Sequence, residues 1–337
     1  MARPDPTLSF RPLASPERRT RRILRRVNLR LLPVLAFAAS LVLPLPAVPA
    51  RALPARAVPA GVTTATTLTA VPAVTKILTI IEENHSQASA LATMPYLRSI
   101  GERYGRTTNY LAVSHPSLPN YLALAGGSTF GVTDDRGPSA HPLRGQSVLD
   151  QALAHGRPAK TYAEGMPSPC YRGYTSTSPR YAVRHNPWTY FTDATSRKNC
   201  GRYDVPLGTT TAGTLAADIG RGTLPTVGLV IPDTCHDGHD RGCTAEADAW
   251  LQSWVQKIHT GPDWLSGRLA IVVTFDEDDS SSGNVVLTTI DARYLPHTVA
   301  DGALTHYSWT RWADELAGSY LLRQASGATS LRRPFGL

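Results

Sequence analysis

Two stretches of this chain read as fully buried strands, and both run directly into acidic residues. Residues 76–81 read Lys-Ile-Leu-Thr-Ile-Ile and stop at Glu82-Glu83-Asn84; residues 269–275 read Leu-Ala-Ile-Val-Val-Thr-Phe and stop at Asp276-Glu277-Asp278-Asp279. A short β-rich run without polar alternation has both faces covered, as an inner strand of a parallel sheet does. Residues 227–231 form a third such run, followed at 233–240 by Asp-Thr-Cys-His-Asp-Gly-His-Asp. Residues 109–113 and 285–290 are further strand candidates. Helical periodicity fills the spaces between. It is clearest over 245–259, where Ala247, Trp250, Leu251, Trp254, Val255 and Ile258 share one face, with Thr244 placed to cap and Glu246 and Asp248 near the positive end. Residues 95–104, 119–125, 148–153 and 308–317 are also expected as helices. Alternation of this kind predicts an α/β fold with a mainly parallel central sheet and helices on both faces. Ligands of such sheets bind beyond the carboxyl ends of the strands, so the polar clusters at 82–84, 233–240 and 276–279 are expected to converge.

The formal charge of +8 invites a nucleic-acid or membrane partner, but its distribution argues against one. Residues 1–57 hold eleven arginines and two acids, which leaves 23 basic and 24 acidic residues for the remainder. The basic leader, an apolar run over 31–45 and small residues with proline up to 57 have the layout of an export signal. A membrane anchor fits less well, because Pro33, Pro44 and Pro46 interrupt a run already short of a bilayer span. Expected boundaries are an export signal over 1–50, a linker over 51–75, a catalytic domain over 76–325 and a tail over 326–337. No later run is long enough for a stable membrane span. Secretion suits four cysteines, and proximity favours Cys170–Cys200 and Cys235–Cys243 among three possible connectivities. A zinc site on them is disfavoured by the spacing. Residues 164–210, rich in Pro, Ser, Tyr and Asn, are expected to be an irregular cap stapled by a disulfide.

Several side chains have the chemistry of a hydrolytic site. Glu83 and Asn84 offer a carboxylate and an amide oxygen to a cation, or a solvated turn. Pro116 and Pro119 stiffen the loop around Ser117, which would start a helix whose N–H groups face an oxyanion, or would only cap it. Asp233 to Asp240 is dense in possible ligands. The acidic run at 276–279 needs water or a cation against self-repulsion. His306 precedes the last helix. His85, His141, His155, His185, His259 and His297 receive no role.

Taken in order, these segments resemble the bacterial phosphoesterase family of secreted acid phosphatases and phospholipases C, related to the alkaline phosphatase superfamily. The matching stretches are Ile81-Glu-Glu-Asn84, His115-Pro-Ser-Leu-Pro-Asn-Tyr-Leu-Ala-Leu124, Arg184-His-Asn-Pro-Trp188, Ile231-Pro-Asp233 with His236 and His239, Val273-Thr-Phe-Asp-Glu277 and Thr305-His-Tyr-Ser308. The resemblance implies Ser117 as nucleophile and a divalent metal (Ca, Zn, Fe or Mg) on Glu83, Asn84, Ser117, Asp276 and Asp237. It implies Glu277, His239 and His306 as catalytic, and His115, Asn120 and His236 near the substrate. Asp278-Asp279-Ser280 stands where the phospholipase branch has His-Gly-Gly, which favours a phosphomonoesterase over a diesterase. The implied partner is a small phosphoester or phosphorylated lipid. A calcium-binding protein without catalysis is the reading of another class, and a sulfatase is disfavoured by the lack of a Cys-x-Pro-x-Arg segment. The oligomeric state is not legible.

Overall fold

In the computed structural model, residues 71–337 are described; the export signal and most of the linker expected from the sequence lie outside them. The strands in chain order are β1 (Lys76–Glu82), β2 (Gly105–Thr107), β3 (Tyr110–Leu111), β4 (Ala159–Ala163), β5 (Asp204–Pro206), β6 (Val227–Ile231), β7 (Leu269–Phe275), β8 (Val285–Val286), β9 (Thr289–Ala292), β10 (Thr298–Ala300) and β11 (Leu304–Thr305). Eight form one sheet in the order β10-β2-β9-β7-β1-β6-β4-β5, and β11, β3 and β8 form a small second sheet. From β7 through β1, β6 and β4 to β5 every pairing is parallel; β9 runs antiparallel to both β7 and β2. The three apolar runs singled out from the sequence are thus adjacent at the centre, and every residue of β6 and β7 is buried.

The helices are α1 (Gln87–Thr93), α2 (Pro95–Arg103), α3 (Ser117–Gly126), α4 (Val148–Ala154), α5 (Ala194–Tyr203), α6 (Thr214–Arg221), α7 (Thr244–His259), α8 (Pro262–Leu265) and α9 (His306–Ala317). One group, α3, α4 and α9, packs together, with α9 anchored to the sheet where the Trp309 indole donates to Thr79 Oγ1 at 2.7 Å. A second group joins α2, α6, α7 and α8. Strand side chains alternate in direction, so Thr79 and Glu83 share the face of the first group while Glu82 points away from it. That alternation aims Glu83 at α3.

Some expectations changed on folding. Residues 285–290 do not make one strand: β8 pairs with β3 in the small sheet, and β9 pairs with β7 in the large one. The expected strand over 109–113 contracts to β3. Strand β4 carried too little apolar signal to be read, because Lys160 interrupts it; the ammonium reaches Asp218 at 2.5 Å. The carboxylate of Asp248, expected to favour the positive end of α7, also caps α2, accepting the Tyr96 and Leu97 N–H groups at 2.8 and 2.9 Å. Thr244 makes no cap; its hydroxyl lies 3.1 Å from His85 Nε2. The cap segment over 164–210 is more regular than its composition indicates, since it contains α5 and the edge strand β5. The cysteines pair as proximity favoured, Cys170 with Cys200 and Cys235 with Cys243.

The two disulfides close loops of different size, with sequence separations of 30 and 8. In the chain-entropy picture, removing Cys170–Cys200 costs about 3–4 kcal/mol and removing Cys235–Cys243 about 2–3 kcal/mol. Denaturant unfolding of the two double-serine variants checks this order. Equal losses, or the reverse order, would contradict it.

Candidate active site

The parallel strands deliver their acids to one place. Two backbone bonds and one to a side chain hold the strand ends in register: Glu83 N–H to the Asp237 carbonyl (2.7 Å), Asp276 N–H to the Glu82 carbonyl (3.0 Å) and Asn84 N–H to Asp276 Oδ1 (3.2 Å). Asn84 adopts φ 56°, a left-handed turn for which asparagine is suited, and so redirects the chain immediately after Glu83. Its amide donates to Glu83 Oε2 at 3.2 Å. Glu83, Asp237 and Asp276 are all fully buried.

Ser117 comes to this cluster from the start of α3. The His115–Pro116 peptide is cis, and Pro116 is the helix N-cap. Ser117 is buried and its hydroxyl donates to Glu83 Oε2 at 3.0 Å; one turn on, the Tyr121 hydroxyl donates to Glu83 Oε1 at 2.7 Å. Of the N–H groups expected to receive an oxyanion here, that of Leu118 is taken by Asp135 Oδ1 at 2.9 Å, and Pro119 has none. Asn120 braces the loop instead of facing substrate. Its Oδ1 accepts from Val113 and Ser114, and its amide reaches the Ser114 carbonyl and Glu277 Oε2. His115 lies at the rim between Glu277 (3.2 Å) and Asp278 (3.3 Å).

The residue that sequence reasoning passed over is His185. It is buried, stacks on Tyr121 at 5.2 Å between ring centroids, and sits between two carboxylates: Nε2 is 3.1 Å from Glu83 Oε1 and Nδ1 is 3.0 Å from Asp237 Oδ2. The signal was present in the segment Arg184-His-Asn-Pro-Trp188. Asn186 anchors that segment by donating to Asp204 at 2.9 Å, and Trp188 anchors it by donating to Asp150 Oδ1 at 3.2 Å. Arg184 and His185 are thereby presented to the site. Arg184 is half-buried and its Nη2 lies 2.9 Å from His239 Nε2.

The other expected histidines are placed differently. His306 is buried, with Nε2 2.6 Å from the Asp276 carbonyl and Nδ1 3.2 Å from the Tyr110 hydroxyl, so both nitrogens are engaged and it braces Asp276 from behind. Burial lowers its pKa to about 4. His236 turns away from Ser117: Nδ1 meets Glu164 Oε2 at 2.9 Å and the ring stacks on Trp250. Asp237 serves His185, while the side-chain partner of His239 Nδ1 is Asp240, at 3.2 Å.

The electrostatics are those of a site short of positive charge. Burial first, then the fields of Asp276 and Asp237, pushes the Glu83 carboxyl far above its ordinary range. Burial does the same to Asp237 and lifts Asp276 to about 7. Glu277 rises to about 9 through burial, Asp276, Asp135 and Asp278. Burial, with Arg184 and His239 nearby, holds His185 neutral. Its two nitrogens, Asp237 Oδ2 and Asp276 Oδ2 are buried without any hydrogen bond, so the short N···O approaches are close but misaligned. Glu83, His185 and Asp237 can each turn one ligand atom to a common point. Unpaired buried oxygens around a neutral imidazole match the oxygen-and-nitrogen ligand set of a divalent cation. A second group, Glu164, Asp233 and His236, is also close enough to share an ion. Its atoms are already hydrogen-bonded to one another and to the backbone.

The mainly parallel sheet with helices packed against it is a fold also found in the alkaline phosphatase superfamily. A protein of that superfamily from Vibrio parahaemolyticus has this fold, with a TM-score of 0.50 at 13% identity over 76% of this chain and 71% of that one. Residues 93–290 match the Phosphoesterase family, and the chain belongs to it. It is 30% identical to a phosphatidylinositol-3-phosphatase of Mycobacterium tuberculosis over 74% of this chain and 79% of that one. It is 29% identical to an acid phosphatase of Aspergillus fumigatus over 67% of this chain, spanning 50% of that relative's length. Phosphoric ester hydrolysis is the chemistry this membership brings. Among the described residues no helix is long and apolar enough to cross a membrane.

Two outcomes are expected. A carboxyl whose pKa is raised in the fold binds protons that the unfolded chain has released, so the cation-free protein loses stability as pH climbs from about 4 through 7 and on toward 9. His306, depressed to about 4, works in the opposite sense but only below about 6.5, where the unfolded imidazole protonates. Melting curves between pH 6.5 and 8.5 should therefore fall with pH in chelator, and added divalent cation should restore more stability at pH 8.5 than at 6.5. A flat profile with no cation effect would refute the site. Second, His185→Ala should weaken cation binding by roughly tenfold to a hundredfold in calorimetry, on the scale of a lost or misoriented ligand.

Proposed function

We propose that this chain is a secreted, metal-dependent phosphomonoesterase of the acid phosphatase type that works through a phosphoserine on Ser117. The observation that carries the reading is the Ser117 hydroxyl bonded at 3.0 Å to a buried glutamate within a cluster of orphaned carboxylate oxygens. Glu83, Asp237, Asp276 and His185 would hold the cation, with Asn84 and Ser117 beside them. When bound, the cation supplies positive charge that favours the ionised serine and neutralises phosphate oxygens.

The remaining work falls to the chain. Glu83 orients the Ser117 oxygen, and Tyr121 fixes Glu83. Arg184, a guanidinium on the open side of the cluster, receives phosphate oxygens. Ser117 attacks phosphorus in line, the bond to the leaving oxygen breaks, and a phosphoserine remains; water then cleaves it and returns the serine. His306 has no nitrogen free for the leaving alcohol. Glu277, at the rim beside His115 (3.2 Å), is the proton source on this reading. Secretion rests on the leader over 1–57, and two disulfides suit an oxidising compartment.

Ser117→Ala should lower hydrolysis of an aryl phosphate by at least on the order of a thousandfold while circular dichroism is unchanged. Near-normal turnover in that variant would remove Ser117 from the mechanism. A phosphorylated inositol lipid is the second substrate to assay, because the mycobacterial relative bears that name. Phosphatidylcholine cleavage exceeding monoester cleavage would place the chain among diesterases.

A further inference from the structure

Beyond the cluster, a chain of polar contacts runs outward from Arg184. Arg184 Nη2 lies 2.9 Å from His239 Nε2. His239 Nδ1 lies 3.2 Å from Asp240 Oδ1. Asp240 Oδ2 accepts from Thr234 Oγ1 at 2.8 Å and from the exposed Arg180 guanidinium. The His239 ring also packs over His185, at 5.9 Å between centroids, and its backbone N–H is tied to Asp237 Oδ1 at 2.8 Å.

Donor and acceptor identities decide how this chain is wired. A guanidinium only donates, so His239 Nε2 must accept and the ring proton must sit on Nδ1, facing a carboxylate that only accepts. Both donors on the far side of Asp240 point at the same oxygen. We propose that Asp240, pinned by Arg180 and Thr234, is a positioning residue that fixes the Nδ1–H tautomer of His239 and thereby holds Arg184 where substrate phosphate arrives. This assigns His239 the holding of a guanidinium instead of proton delivery, since neither ring nitrogen is left to offer a proton to a leaving oxygen. What Arg184 receives rests on the phosphatase reading above; the tautomer does not.

The wiring makes Asp240→Asn a sharp substitution. Arg180 and Thr234 require an acceptor on their side, so the amide oxygen turns to them and the amide nitrogen turns to His239 Nδ1. That nitrogen must then accept, the ring proton moves to Nε2, and two donors face each other at the Arg184 contact. A lost charged hydrogen bond of this kind corresponds to roughly tenfold to a hundredfold.

The experiment uses the mature metal-loaded protein, with 15N NMR of the His239 ring, calorimetry with inorganic phosphate, and kinetics with an aryl phosphate. The wild type should show Nδ1–H and Asp240→Asn should show Nε2–H. In that variant the phosphate Kd and the KM should rise by about tenfold or more, with kcat changed far less. Adding Arg180→Ala to Asp240→Asn lets the amide turn back, so the double variant should regain Nδ1–H and most of the lost affinity. A merely structural Asp240 would give a double variant worse than either single one. The inference is overturned if Asp240→Asn keeps the wild-type tautomer, or switches it with phosphate binding unchanged. A wild type that cleaves no phosphoester would instead sink the functional reading, and the NMR arm would still decide whether Asp240 sets His239.

Discussion

The structure turns on the burial of three carboxylates, Glu83, Asp237 and Asp276, within one small volume at the carboxyl edge of a parallel sheet. Like charges taken out of water repel one another and lose their hydration, and the fold answers only part of this with hydrogen bonds from Ser117, Tyr121 and backbone N–H groups. Among the described residues no lysine or arginine is buried with them; Arg184 stands half-buried at the side. A cluster built this way is costly without a cation, and the proposed function rests on that shortage of positive charge.

Several features of the fold serve to keep that cluster in place. The three strand ends are locked by backbone bonds between neighbouring loops, so the acids cannot spread apart without breaking the sheet edge. Asn120 couples the serine loop to Glu277. His306 braces the backbone of Asp276 from α9. The Cys235–Cys243 disulfide closes the loop that carries Asp237, His239 and Asp240. The cap brings in Arg184 and His185 through a segment fixed by Asn186 and Trp188 against Asp204 and Asp150. Rigidity around the site follows from these anchors, and the proposed chemistry requires it, since preorganised groups stabilise developing charge without reorganising.

Much of the architecture was legible from the chain alone. The runs at 76–81, 227–231 and 269–275 read as buried strands, and alternation with helices placed them in a mainly parallel sheet; their adjacency at its centre came from the fold. Short strands such as β2, β5 and β10 were not legible, since their residues carry no distinctive pattern and are strands only because a neighbour offers hydrogen bonds. In the site, the acids and Ser117 stood out because each follows a strand or opens a helix. His185 did not, because a histidine in an irregular, polar segment looks like any loop residue until the fold carries it across to Glu83. His236 and His239 differ by three positions in one loop and could be separated only by where each side chain points.

The amino-acid sequence by itself determined the α/β alternation, the acidic strand ends, the stiffened loop around Ser117 and the cysteines near enough in sequence to pair. All of these are local, arising from periodicity, proline and chain proximity. The tertiary structure decided which of these residues meet. It brought His185 between two carboxylates from different strands, gave His239 to Asp240 and Arg184, turned Asp248 to another helix, and withdrew His306 and His236 from the serine. The physical reason is that hydrogen-bond and ligand geometry depends on side-chain direction over a few ångströms between segments distant in the chain, and no local pattern encodes that distance.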